Sequence, residues 1–317
     1  MSWINNPSIS PAYYLNNEPD GDDDLWHVVV QKGNVGSKYV YALQLRDNQQ
    51  NIYVSRGLRQ TYVNFNKNNP QVLMYGNNKY TAGGHTQTWE YANQSGDWFV
   101  GTKKMESNGW TKQIARVHIP AVNIKYNTDV PRLSYLNCAG GMSYSSKKME
   151  RVEAAVSANY QYFMIVSGDT DKNGYFSLYY LNDINSALNN AGLSPVDIRN
   201  LNCIKSFEIP NIGRKNVIGS LQGFDIDDSG NNIYISSQSA GDTTNRKIVK
   251  IPWGDTNTNN WTYVNLQYAP IEVVNHYTEL EGIQLIGNND LYLTVAYHNV
   301  TKANDETDIN RIYHVRW

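Results

Sequence analysis

The chain has 317 residues, 40% of them hydrophobic and 18% charged, which fits a folded globular protein and excludes a disordered one. Its formal net charge of −2 comes with no basic patch or stripe, which excludes a non-specific nucleic-acid binder. No run of residues is long and apolar enough to span a bilayer, so no transmembrane segment is expected.

With so little charge, most of the polar surface must come from Asn, Ser, Thr, Gln and Gly. Tyr is abundant at 24 residues against 6 Phe, and Tyr, Trp and β-branched residues favour strands. In chain order, the start Met1-Ser2-Trp3-Ile4-Asn5-Asn6 lacks a charged segment followed by an apolar stretch. No secretory signal peptide is therefore expected. The chain is cytosolic, a processed mature form, or exported by another route. Residues 1–24 read as an N-terminal segment. Leu25-Trp26-His27-Val28-Val29-Val30 reads as a strand with no sheet of its own.

Five repeats follow, with starts at 41, 87, 153, 222 and 281 and spacings of 46, 66, 69 and 59. The last two are the clearest. Ser220–Ile226 leads to Asn232–Ser236, and Glu279–Leu285 leads to Asp290–Thr294. Each alternates apolar and polar residues, the period of a half-buried strand. Asp228-Ser229-Gly230-Asn231 and Gly287-Asn288-Asn289-Asp290 between them are hairpin-turn sequences. Third strands are expected at Lys247–Trp253 and Arg311–Trp317, and a fourth at Trp261–Leu266. The last repeat has only three. Weaker copies begin at Tyr41, Gln87 and Glu153. The shared start is a Gln or Glu, which Tyr41 breaks.

Five repeats of four strands predict one all-β domain over 1–317, a five-bladed β-propeller whose last blade is closed by the N-terminal strand. Closure removes an edge that would invite aggregation. A sandwich built from hairpins is the competing architecture. One short helix is expected at Leu181–Gly192, with Asn182 or Asp183 capping its start and Gly192 its end. Cys138 and Cys203 both stand in Leu-Asn-Cys tripeptides 65 residues apart. They read as the same position in neighbouring repeats, a blade apart, and hence as two free buried thiols.

Gln87, Glu153, Gln222 and Glu281 recur at the repeat starts, and first strands line a propeller's channel. They predict a polar ring near the axis, with Trp89 beside it as an aromatic platform. The same ring is also explained by hydrogen bonds between blades. Asp169, Asp171 and Asn173 match the first half of a calcium loop, although no helices flank them. A plain Asp/Asn/Gly turn is the simpler reading. No other cofactor is expected. The six histidines show no metal-ligand spacing, and no nucleophile elbow or phosphate loop is present. No catalytic residue is assigned. Were the chain an enzyme, Glu153 and Glu281 would be the carboxylates to test.

Ser220-Leu221-Gln222-Gly223-Phe224-Asp225-Ile226-Asp227 with Asn232-Ile233-Tyr234-Ile235-Ser236 resembles the helveticin J family. So does Glu281-Gly282-Ile283-Gln284 with Leu291-Tyr292-Leu293-Thr294. The length, the Asn- and Tyr-rich composition and the absence of a signal peptide agree. That family comprises large, heat-labile class III bacteriocins of lactobacilli. The resemblance implies a secreted, extracellular antibacterial protein acting on related bacteria, and transfers no catalytic residue. The leading expectation is a non-enzymatic bacteriocin whose partner is a cell-envelope glycan or glycopolymer of a Gram-positive competitor. A propeller glycosidase or lyase acting on wall polysaccharide is the second, and a lectin or adhesin module without toxicity the third. The residues specify no oligomeric state.

Overall fold

The computed structural model describes residues 1–16, 28–65, 69–238, 241–242, 245–267, 269–302 and 306–317. The alternating segments form five sheets arranged as the blades of a propeller. From the axis outward, blade 1 holds Val30–Val35, Tyr39–Arg46, Asn51–Leu58, Val72–Met74 and Ala121–Ile124. Blade 2 holds Trp89–Tyr91, Asp97–Lys104, Thr111–His118, Arg132–Ser134 and Pro195–Asp197. Blade 3 has four strands, Met149–Val156, Tyr162–Asp169, Gly174–Tyr180 and Lys205–Ile209. Blade 4 holds Phe224–Ile226, Asn232–Ser237, Lys247–Pro252, Thr262–Asn265 and Ser2–Ile4. Blade 5 holds His276–Gly287, Asp290–Asn299, Thr307–Arg316, Ser8–Asn16 and Tyr62–Asn64.

The fourth strand of blade 5 comes from the N-terminus, as the repeat pattern predicts, but from a different segment. Ser8–Asn16 pairs antiparallel with Thr307–Arg316. Of the stretch expected to do this, Leu25–His27 lies outside the described residues, and Val30 opens the inner strand of blade 1. The first repeat is therefore read one strand late: Tyr41 sits in the second strand of blade 1, and its inner strand carries Gln31. Lys32, Gly33 and Asn34 hide that strand, because they break the apolar pattern.

The short outermost strands follow one rule. Each comes from the stretch between the third and fourth strands of the next blade round the ring, and pairs parallel to its host. Ala121–Ile124, from blade 2, joins blade 1, and Pro195–Asp197, from blade 3, joins blade 2. Tyr62–Asn64, from blade 1, joins Ser8–Asn16 of blade 5. Ser2–Ile4, just ahead of Ser8–Asn16, joins Thr262–Asn265 of blade 4, where Trp3 stacks on Tyr263 with centroids 5.0 Å apart. Residues 1–16 thus belong to two blades. Only blade 3 lacks a lent strand among the described residues. The corresponding stretch of blade 4 is the 3-10 turn Thr258–Asn260.

The apolar core is divided among the five gaps between blades. Phe99, Ile114 and Leu133 of blade 2 meet Val152 and Phe163 of blade 3, for example. Leu280, Leu293 and Tyr313 of blade 5 meet Tyr234 and Ile248 of blade 4. Near the axis the inner strands of blades 4, 5 and 1 approach so closely that only glycine fits. A Cβ on Gly223 would lie 2.7 Å from Gly282 Cα, and one on Gly282 would lie 2.9 Å from Gln31 O.

The helix spans Leu181–Ala191 and buries Leu181, Ile184 and Leu188, the i, i+3, i+7 stripe of an amphipathic helix. It ends at Gly192 with φ +57°, as expected, but Tyr180 occupies the N-cap and no side chain caps it. Asn182 and Asp183 fall inside the first turn. The cysteines also depart from expectation. Both are free, but they are half-buried and line one small cavity at the edge of blade 3 rather than lying a blade apart.

Candidate functional site

The inner strands, with the residues that lead into those of blades 2 and 4, bring Gln31, Gln87, Glu153, Gln222 and Glu281 to one end of the axis, together with Arg151. Gln87 is the hub. Its Nε2 lies 3.2 Å from Gln31 Oε1 and 2.8 Å from Gln222 Oε1, and it donates to Glu281 Oε2. Its Oε1 accepts from Arg151 Nη2, and Arg151 also donates to the carbonyls of Leu221 and Gln222. The ring therefore ties all five blades across the axis through side-chain bonds. Sequence reasoning placed four of these residues but missed Gln31 and Arg151. Arg151 stands two residues before Glu153, so both project to the same side of their strand.

The two carboxylates are spoken for. Glu153, 2% exposed, accepts from the hydroxyls of Thr86 at 3.2 Å and Thr88 at 2.5 Å, and from the backbone N–H of Gln87 at 3.1 Å. Arg151 Nε completes the set at 3.2 Å. Glu281 is buried, and desolvation, aided by the nearby Glu279, pushes its carboxyl well above the usual carboxylate range. Arg151 and Gln87 pull weakly the other way. Glu279 itself is turned to His298, 3.0 Å away. Beneath the ring Lys32 pairs with Glu90 at 2.7 Å, both almost fully buried, and Asp225 beside them is pushed up by burial and then by Glu90.

Trp89 is not part of this site. It is fully buried between blades 1 and 2, stacked on Trp98 with centroids 4.8 Å apart and in contact with Tyr41. The aromatic residue at the mouth is Trp110, from the hairpin of blade 2. His85 stacks on it at 3.6 Å, and the Arg151 guanidinium lies over its ring at 4.1 Å. Burial, and then the Arg151 charge, lowers the His85 imidazole to about 3, so it is neutral at physiological pH.

Trp110, Arg151 and Phe224 border a cavity of about 390 Å³ between blades 3 and 4, whose polar lining includes Ser167, Lys215 and Asn245. That size suits one or two sugar rings. Aromatic edges, hydroxyls, amides and single charges of both signs in one concave site can hold a polar, ring-shaped ligand.

Asp169, Asp171 and Asn173 form a turn instead of a cation cage. The Asp169 carboxylate accepts from the backbone of Asp171 at 3.0 Å and Asn173 at 2.9 Å, and from the Tyr175 hydroxyl at 2.8 Å. Asp171 points outward to Lys148, 2.6 Å away. Among the described residues no group of three or more His, Cys, Asp or Glu side chains could hold a metal ion. No helix among them is long and apolar enough to cross a membrane.

Comparisons with known proteins agree with the motif resemblance. A family model for bacteriocin helveticin-J matches residues 4–317. Bacteriocin helveticin-J of Lactobacillus helveticus is 40% identical over 325 residues, covering 93% of this chain and 94% of that one. Among solved structures, the catalytic domain of a Coprinopsis cinerea GH62 α-L-arabinofuranosidase superposes with a TM-score of 0.48 at 10% identity, covering 98% of each chain. The GH43_1 enzyme from Xanthomonas citri gives 0.48 at 12% identity, covering 90% of this chain and 86% of that one. The match along nearly the whole sequence is what decides: this chain belongs to the helveticin J family of bacteriocins.

Proposed function

We propose that this protein is a secreted antibacterial protein that recognises a carbohydrate of the envelope of related Gram-positive bacteria and binds it without cleaving it. The observation that carries the reading is the state of Glu153 and Glu281. Hydrolysis of a glycosidic bond uses two carboxyl groups that reach the substrate from opposite sides. Here both are buried and hydrogen-bonded to the propeller itself, so they brace the ring. The cavity bordered by Trp110, Phe224 and Arg151 keeps the features of a sugar site; of the carboxylates that line it, Glu153 is 2% exposed and engaged by the ring, and Glu150 is paired with Lys172 at 2.6 Å.

One observation favours a hydrolase: a carboxyl held protonated by burial is what a general acid needs, and Glu281 has that property. Its exposure of 1% leaves no path to a leaving group, and the binding reading is preferred.

The test is retention of the purified protein on Gram-positive cell walls, with soluble reducing sugar measured in the same tubes. The reading expects retention, loss of retention in Trp110→Ala and Lys215→Ala, and no released sugar. Release that disappears in Glu281→Gln would establish the hydrolase instead.

A further inference from the structure

Blades 1, 2 and 3 frame a second concave site on the same end of the propeller. It is a cleft of about 1120 Å³, and its lining includes Lys103, Lys104, Lys112 and Lys147 against a single carboxylate, Glu106. Asn77, Asn108 and Gln113 supply amides, and Tyr80 and Tyr135 supply hydroxyls. His85 lines this cleft while stacking on Trp110 of the axial cavity, so the two sites share a wall.

The lysines stand in an unfavourable arrangement. Thr111 pairs with Lys104 and Gln113 with Thr102, which sets Lys112 directly opposite Lys103 on neighbouring strands. Like charges directly opposite in a sheet are destabilising. Lys103, Lys112 and Lys147 form no salt bridge with any described carboxylate. Burial and the charges of Lys112 and Arg132 make the Lys103 ammonium easier to deprotonate. Lys103 also holds a left-handed backbone, φ +63°, which a long side chain adopts only at a cost. The repulsion between these ammonium groups, facing a large cleft, is what an anion would relieve.

We infer that this cleft binds a flexible polyanion rich in hydroxyl groups, namely a chain of polyols or sugars joined by phosphodiesters. The lysines take the phosphates as point charges, and the amides and tyrosines take the hydroxyls. The site is distinct from the axial cavity, and the stack of His85 on Trp110 between them places both on one continuous ligand-binding face.

The probe is synthetic poly(glycerol phosphate) titrated onto the full chain, with neutral dextran and single-stranded DNA of matched charge alongside. Binding to the polyol phosphate that weakens steeply with salt is expected, as counterions are displaced. Lys103→Gln and Lys112→Gln should each weaken it about tenfold, the scale of one lost charge-assisted hydrogen bond. Lys38→Gln, on the opposite end of the molecule, should leave it unchanged. The same two cleft variants should raise the thermal unfolding midpoint, because each removes one member of the repulsive pair. Absence of polyol-phosphate binding, or binding unmoved by the cleft variants, would overturn the inference. Tighter binding of the DNA would assign the cleft to a nucleic acid and overturn it equally. Neutral-wall binding lost in Trp110→Ala but kept in Lys103→Gln reports on the axial cavity alone, so the two readings fail separately.

Discussion

Gln87 Nε2 reaches Gln222 Oε1 at 2.8 Å, a side-chain bond that joins blade 2 to blade 4 across the axis, past blade 3. The same amide holds Glu281 of blade 5. Replacing Gln87 by Leu would leave the Glu281 carboxyl and one Arg151 donor buried with fewer partners. Such a loss costs about 1–3 kcal/mol per orphaned group. Urea unfolding should show a lower midpoint with unchanged slope. An unchanged midpoint would mean that the ring does not brace the blades.

Glu281 makes a pH prediction with a definite sign. Its folded carboxyl titrates above its unfolded value, so the folded state binds its proton more tightly. The stability from that proton is fully present below the unfolded value, about 4.3, and is lost as pH rises toward the higher folded value. Glu281→Gln removes this dependence. The variant should therefore gain on the natural protein steadily from about pH 4.3 upward. A constant difference across pH 4 to 8 would contradict the assigned environment.

The N-terminus closes the ring twice, and the two closures should differ in weight. Removing residues 1–6 takes away Ser2–Ile4 and the Trp3–Tyr263 stack at the rim of blade 4, and should lower the thermal midpoint by a few degrees. Removing residues 1–16 also strips Ser8–Asn16 from blade 5 and exposes the edge of Thr307–Arg316. That chain should aggregate on expression. Equal behaviour of the two truncations in light scattering and thermal unfolding would contradict the pairing.

Asp169 should matter for stability and not for calcium. Its carboxylate anchors two backbone amides and the Tyr175 hydroxyl, so Asp169→Ala should cost about 1–3 kcal/mol. Asp171→Ala, removing only an exposed pair with Lys148, should stay within about 0.5 kcal/mol. Millimolar calcium or a chelator should leave the unfolding midpoint in place. A calcium-dependent rise that Asp169→Ala abolishes would restore a cation site.

Blades 4 and 5 were legible because their hairpins pair alternating strands across Asn- and Gly-rich turns. Blade 1 was not, since the burial of Lys32 depends on Glu90 of another blade, a partner 58 positions away. The ring at Gln87, Glu153, Gln222 and Glu281 was visible as a recurring polar residue. Its internal engagement was not, because the bonds among these four residues join positions more than 60 apart, as between Gln87 and Glu153. Trp89 looked like a sugar platform for the same reason: sequence gives an aromatic on an inner strand, whereas packing against Trp98 and Tyr41 decides which way it is covered. Trp110 and His85 meet only through the fold. Lys103 and Lys112 were within reach of the sequence, since a hairpin centred between them must set them opposite one another.

The central claim is recognition of an envelope carbohydrate without cleavage, and one experiment bears on it most directly. Purified protein is added to a panel of growing lactobacilli, and viable counts are followed together with soluble wall fragments. The account predicts killing of susceptible strains with no fragments above the buffer control, and loss of killing in Trp110→Ala. Killing accompanied by fragment release that Glu153→Gln or Glu281→Gln abolishes would contradict it, as would survival of every strain.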